Sequence, residues 1–312
     1  MNFTEGIKNE IISKPPKDLH CKKAFLSGVI RGTGILYERD GEYGIEFRVS
    51  SEEIAILISS MIKTIFDYEV REVECKNDHL NNKEQFIINV FGKNAIDVLT
   101  GLDILSVSKD GVIVNYDYYG KLTEKECCFK SFIKGLFLSS GICSVPNEKS
   151  KTGYRLELPF SHSKTVLQTS NRLLEYGIVS HISRRKELFI LYIKSAEIIK
   201  DFLAFLPTPV SVIKLSDIIV NREFNNRINR QKNCDLKNVD RQVDASIRQI
   251  EAIEKIQNNI GIESLKDDLK VVAIARKENP DFTLVELANK LEITKSCLNH
   301  RLRKLVEISN GL

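Results

Sequence analysis

The stretch AFLSGVIRGTG at residues 24–34 returns as SFIKGLFLSSG at residues 131–141. The offset of 107 aligns Phe25 with Phe132, Gly28 with Gly135 and Gly34 with Gly141. The segments downstream of the two copies match in kind as well. A strand-like run (Ile35 to Tyr37), an Asp40-Gly41 turn and an alternating run (Gly44 to Val49) come after the first. Ile142 to Val145, a polar turn around Asn147 to Gly153, and Tyr154 to Leu158 come after the second. Helix-periodic segments come next, Glu52 to Phe66 and Ser163 to Glu175, the first opened by Ser50-x-x-Glu53 as a capping box. Second hairpins are read at Val70 to Cys75 with Gln85 to Phe91, and at Ile178 to Ser183 with Leu188 to Ile193. Closing helices are read near Asn94 to Leu105 and Ala196 to Leu206. Each unit is therefore α-β-β-α-β-β-α, and the fold class is α+β, with antiparallel sheets backed by helices.

The repeated helix carries a physical demand. Phe25, Gly28, Val29 and Gly32 share one helical face, as do Phe132, Gly135, Leu136 and Ser139. Glycine inside a helix is disfavoured by about 0.5–1 kcal/mol relative to alanine. Close approach of two helix backbones offsets that cost, so Gly28, Gly32, Gly135 and Ser139 are read as the packing seam between the halves.

These residues resemble a known family. LSGVIRGTG (26–34) and IKGLFLSSG (133–141) look like degenerate LAGLIDADG motifs, the paired helices of homing endonucleases. In that family, the acid before the last glycine of each motif holds the catalytic metal. Thr33 and Ser140 stand at those positions, and Arg31 and Leu138 at the earlier acid position. Metal-assisted phosphodiester cleavage needs anionic oxygens around Mg²⁺. The resemblance thus implies a retained fold with both catalytic acids lost, no catalytic residue, no metal and no enzyme activity.

Charge and cysteine content narrow the classes further. Lys and Arg number 46 against 42 Asp and Glu, a net +4, with +1 in residues 1–207 and +3 in residues 208–312. That balance permits nucleic-acid binding without demanding it. No basic-then-apolar leader opens the chain. The longest uncharged run, Gly135 to Asn147, has 13 residues, below the roughly 18 needed to cross a bilayer. A cytoplasmic protein with no membrane partner is expected. The seven cysteines (Cys21, Cys75, Cys127, Cys128, Cys143, Cys234 and Cys297) form no C-x-x-C pair, and Cys127-Cys128 is the one close pair. They are read as free thiols, with no structural metal and no cofactor.

The last third changes character. Pro207 and Pro209 end the second half, and Asn221 to Asn238 is dense in Asn and Arg. That stretch is either a polar linker or a loop that contacts phosphate or another domain. Val243, Ile247, Ile250, Ile253 and Ile256 then mark an amphipathic helix that ends near Asn258 to Gly261. A further helix spans Ile262 to Glu278, with Leu265, Leu269 and Val272 inward, and Asn279-Pro280 stops it.

Thr283 caps a short helix with Leu284, Leu287, Ala288 and Leu291 inward. After Glu292-Ile293-Thr294, a last helix puts Leu298, Leu302 and Leu305 inward. This is the helix-turn-helix pattern. Its one departure is Glu292 at the turn position often held by glycine, which asks a non-glycine residue to take a disfavoured conformation. At roughly 100° per residue, Ser296, Arg303 and His300 fall about 140–200° from Leu298, on the outer face. Asn299 and Lys304 flank them, and no acid appears until Glu307. Asn pairs bidentately with adenine and Arg with guanine, while Lys suits phosphates. The expected DNA-binding set is Thr283, Lys290, Thr294, Lys295, Ser296, Asn299, His300, Arg301, Arg303 and Lys304.

The combination resembles the WhiA family of bacterial regulators: a duplicated, acid-depleted LAGLIDADG-like domain joined to a helix-turn-helix ending TKSCLNHRLRKL (294–305), with VDASIRQIEAIEKI (243–256) before it. The expected organisation begins with a helical segment over 1–20. The duplicated domain spans 21–207, with repeats at about 21–106 and 128–207. A linker spans 208–238. An all-α domain spans 239–312, with its helix-turn-helix at about 283–306. The resemblance implies a DNA-binding regulator tied to cell division, chromosome segregation and, in spore formers, sporulation. Its partners would be double-stranded DNA at the nucleoid and other regulatory proteins through the LAGLIDADG-like half. Two rival readings are an active homing endonuclease that recruits Glu38, Asp40 or Glu46, and a scaffold that mainly binds protein.

Overall fold

The computed structural model describes residues 2–70, 73–78, 83–108, 111–115, 122–146 and 153–312. The chain divides into two compact units, Met1–Asn221 and Arg222–Leu312.

In the first unit, α1 (Phe3–Ser13) is opened by an Asn2/Glu5 capping box and buries Ile7 and Ile11. The first repeat comprises α2 (Leu19–Thr33), β1 (Gly34–Arg39), β2 (Glu42–Val49), α3 (Glu52–Phe66), β3 (Val73–Asp78), β4 (Lys83–Phe91) and α4 (Lys93–Gly101). A small hairpin comes next, β5 (Leu105–Ser108) and β6 (Gly111–Val114). The second repeat is α5 (Glu126–Ser140), β7 (Ile142–Ser144), β8 (Arg155–Phe160), α6 (Ser163–Glu175), β9 (His181–Arg185), β10 (Leu188–Ile193) and α7 (Ala196–Phe205). The two four-stranded antiparallel sheets have one topology, β1-β2-β4-β3 and β7-β8-β10-β9. The α+β reading and the duplication are borne out. The first hairpin turns at Asp40-Gly41, both with positive φ, as a two-residue turn joining right-twisted strands requires. The polar turn expected at 147–153 falls outside the described residues except for Gly153.

Local expectations are corrected at several places. The N-cap of α3 is Ser51, whose side chain accepts from the Ile54 amide, and not Ser50. The helix expected to run to Leu105 stops at Gly101, where Asp103 takes a left-handed conformation and the β-branched residues beyond pair as β5–β6. The stretch 208–238, read as linker or loop, is helical: α8 runs without interruption over Pro209–Asn259. Pro209 begins it where a missing amide costs nothing, and neither glycine nor proline occurs from 210 to 260. The Glu10 carboxylate accepts hydrogen bonds from the Val210 and Ser211 amides and from the Ser211 hydroxyl, capping this helix from α1.

The second unit is helical. A 3₁₀ turn (Ile262–Ser264) precedes α9 (Asp267–Glu278), α10 (Leu284–Lys290) and α11 (Lys295–Asn310). The helix expected from Ile262 is thus broken at Leu265-Lys266, both extended, before Asp267 and Asp268 open α9. Ile253 and Ile256 of α8 complete the core with Leu269, Val272, Leu287, Leu298, Leu302 and Leu305. Among the described residues, no helix is long and apolar enough to cross a membrane.

Candidate nucleic-acid interface

The helix-turn-helix is held at both of its starts. The Thr283 hydroxyl accepts from the Glu286 amide while the Glu286 carboxylate accepts from the Thr283 amide. These contacts hold the Glu286 carboxyl below its usual pKa. Thr294 caps α11 by accepting from the Cys297 amide at 3.2 Å. Between them Glu292 takes the left-handed conformation (φ 54°) that the tight turn requires. Leu298, Leu302 and Leu305 are buried, so α11 turns Lys295, Ser296, His300, Arg303 and Lys304 to solvent, with Asn299 half-buried at the shoulder.

The ten expected DNA-binding residues separate by what they already touch. Thr283 and Thr294 serve as caps. The Lys290 amine donates to Asn279 Oδ1 at 2.9 Å and lies over the Phe282 ring. Arg301 is half-buried and faces Asp268 of α9 at 3.6 Å. The outward surface of α11 is therefore narrower than the sequence set: Lys295, Ser296, Asn299, His300, Arg303 and Lys304.

One residue that positions this surface escapes sequence reading. Arg276 is 2% exposed, and its guanidinium donates to Gln249 Oε1 at 2.9 Å and to the Phe282 carbonyl at 2.6 Å. Burial lowers its pKa from the ordinary value. It ties α8 to the loop that enters α10, and Ser246 adds a bond to the Pro280 carbonyl at 2.6 Å. The signal lies in the spacing, because Arg276 continues the inward face of Leu269 and Val272 by one turn.

In the first unit, α2 and α5 lie side by side in parallel. A Cβ on Gly28 would meet the Phe132 carbonyl oxygen at 2.1 Å, and one on Gly135 the Phe25 carbonyl oxygen at 2.0 Å. Gly32 packs on Ser139 and Ser140. Thr33 and Ser140, at the former acid positions, turn back on their own helices, the first toward the Val29 carbonyl and the second to the Leu136 carbonyl. Arg31 donates to the carbonyls of Asp103 and Asn115. It borders a cavity of about 390 Å³ whose lining, Asn115, Ser161, His162 and Thr165 included, holds no carboxylate among the described residues. Burial, with the Arg31 guanidinium nearby, keeps the His162 imidazole below its ordinary pKa. Glu38 pairs across the hairpin with Tyr43, Asp40 occupies its turn and Glu46 binds Arg48, so these three acids stay in the β1–β2 hairpin.

At the opposite end of the same helix pair the fold gathers residues that the sequence leaves dispersed. His20 and Cys21 of α2 meet Cys127 and Cys128 of α5, their ligand atoms all within 4.8 Å of one another. Burial first, then the neighbouring Cys127 and Cys21, push the Cys128 thiol up to about 12, and burial raises Cys21 as well. The thiols are free, as read from the sequence, but spacing along the chain hides a gathering across the repeat. The same offset of 107 relates His20 to Cys127 and Cys21 to Cys128.

Residues 19–105 match the WhiA N-terminal LAGLIDADG-like domain, residues 129–225 the WhiA LAGLIDADG-like domain, and residues 228–309 the WhiA C-terminal HTH domain. A protein of Macrococcus caseolyticus named probable cell division protein WhiA is 32% identical over 318 residues, covering 100% of this chain and 97% of its own. The chain belongs to the WhiA family. Its relative of the same name in Bacillus subtilis (strain 168) is 31% identical over 315 residues, again covering 100% of this chain and 97% of the other. The crystal structure of full-length DUF199/WhiA from Thermatoga maritima is similar across 100% of this chain and 99% of that one, at 25% identity and a TM-score of 0.58. The WhiA resemblance read from the two glycine helices and the C-terminal motif is thereby borne out.

Proposed function

We propose that this WhiA-family chain is a non-enzymatic, sequence-specific DNA-binding regulator of transcription, acting in cell division, chromosome segregation and, in spore formers, sporulation. It works in the cytoplasm, at the nucleoid. The observation that carries this reading is the outer face of α11. Three leucines bury one side while Ser296, His300, Arg303 and Lys304 stand exposed on the other, with no acid from Lys295 to Val306. A major groove admits one helix, and that face offers an amide, an imidazole and a guanidinium to base edges and lysines to phosphates.

The LAGLIDADG-like half is proposed to add duplex or protein contacts without cutting DNA. Thr33 and Ser140 offer hydroxyls that are committed to their own helices, and no carboxylate among the described residues lines the adjacent cavity. Two assays test the whole reading. Genome-wide capture with wild type and Arg303→Ala is expected to give discrete sites that the variant loses. Plasmid incubated with the chain and Mg²⁺ or Mn²⁺ is expected to stay intact. Undiminished site occupancy by the variant, or site-dependent nicking, contradicts it.

A further inference from the structure

We infer that His20, Cys21, Cys127 and Cys128 form a structural zinc site that joins the two halves of the duplicated domain. The inference is independent of the DNA-binding reading.

The donor set is complete. Three thiols and one imidazole make the Cys₃His combination that holds zinc in closed, four-coordinate sites. The His20 Nδ1 lies 3.2 Å from Cys128 Sγ and 3.3 Å from Cys21 Sγ, and no pair of the four ligand atoms is more than 4.8 Å apart. A tetrahedral zinc with bonds of about 2.3 Å to sulfur and 2.0–2.1 Å to nitrogen sets its ligand atoms roughly 3.5–3.8 Å apart. The cluster thus closes on the ion by contraction of about an ångström or less at its widest pairs, within the reach of side-chain rotation.

The position of the cluster in the fold explains how it arises. His20 and Cys21 are the second and third residues of α2, and Cys127 and Cys128 the second and third of α5. The parallel packing set by Gly28 and Gly135 therefore brings two equivalent pairs face to face. Both helices present their N-terminal dipole ends to the same point, and neither N-cap, Asp18 or Lys125, closes its first turn with a side-chain hydrogen bond. Helix N-termini favour thiolate over thiol.

Zinc displaces the protons of the three thiols and leaves the imidazole neutral, so no oxidant or reductant takes part. The sulfur-rich set favours zinc over the hard ions of phosphodiester chemistry, and four protein ligands leave no open position for a substrate. The centre would act as a staple at the end of the helix pair remote from Thr33 and Ser140. A disulfide among the thiols is the competing chemistry, but it leaves unexplained an imidazole nitrogen within hydrogen-bonding range of two sulfurs.

The test uses the full-length chain, purified anaerobically without a metal-affinity step. Mass-spectrometric metal analysis is expected to find one zinc per chain. Replacement by Co²⁺ is expected to give the visible bands of a tetrahedral site with thiolate-to-cobalt charge transfer. His20→Ala/Cys127→Ser changes the two exposed ligands, leaves the buried pair in the core, and is expected to lose both signals while keeping its circular dichroism. Cys75→Ser/Cys234→Ser is expected to keep both. A chelator is expected to lower the wild-type unfolding midpoint and to leave that of His20→Ala/Cys127→Ser unmoved. Wild type that takes up neither stoichiometric zinc nor tetrahedral cobalt overturns the inference. So does metal retained by the His20/Cys127 variant, or a disulfide within the cluster recovered from the anaerobic preparation.

Discussion

Gly28 and Gly135 lock the two halves together reciprocally: each leaves room for the main-chain carbonyl of the other helix, Phe132 against Gly28 and Phe25 against Gly135. A methyl group at either position would stand 2.0–2.1 Å from a backbone oxygen, and a backbone cannot swing aside as a side-chain tip can. Gly28→Ala or Gly135→Ala is expected to cost about 1–3 kcal/mol or more. Gly6 in α1 has open space around it, so Gly6→Ala is expected to stabilise by about 0.5–1 kcal/mol. Urea unfolding of the three variants checks this; equal shifts at all three sites would contradict the close-approach account.

Arg276 makes the second testable joint. Its removal leaves Gln249 Oε1 and the Phe282 carbonyl without their donor in a partly buried setting. Arg276→Met is expected to cost about 1.5–3 kcal/mol, since bonds to a charged group are among the stronger ones. Arg276→Lys is expected to recover only part of that, because one ammonium cannot reproduce the planar fork. Chemical denaturation of the full chain, monitored through a probe in the second unit, measures both.

The sequence marks Thr283 as both a cap and a DNA contact, and its geometry separates the two roles. Thr283→Ala is expected to lower stability by about 1 kcal/mol, while Thr283→Ser keeps the capping oxygen and most of the stability. If the cap is its whole role, DNA affinity measured well below the unfolding temperature is unchanged in both variants. A loss of affinity in a fully folded Thr283→Ser variant would instead make the side chain a contact.

The repeat is legible in the sequence because glycine at matched helical positions is costly enough to stand out, and because the Asp40-Gly41 turn fixes the hairpin between β1 and β2. The helix-turn-helix is legible for a similar reason: Leu298, Leu302 and Leu305 keep strict helical spacing beyond a capping threonine. Other features are hidden by their physics. The strands of β5–β6 are four residues each, too short for alternation to register. Asn221 to Asn238 reads as a loop because asparagine favours turns, yet without glycine or proline nothing interrupts α8. Arg276 is hidden by its charge, which marks a residue as exposed until its partners are seen. The His20–Cys128 cluster is hidden because its two adjacent pairs, His20-Cys21 and Cys127-Cys128, stand 107 residues apart along the chain.

The outer face of α11 reads duplex DNA in this account, and fluorescence anisotropy tests that most directly. It compares a duplex selected by the chain from genomic fragments with a scrambled duplex, over a range of salt concentrations. Arg303→Ala or Asn299→Ala is expected to weaken binding to the selected duplex by about 1–3 kcal/mol while barely changing the scrambled one, and Lys304→Ala to weaken both alike and reduce the salt dependence. Selected-duplex affinities of folded Arg303→Ala and Asn299→Ala equal to that of wild type would contradict the account.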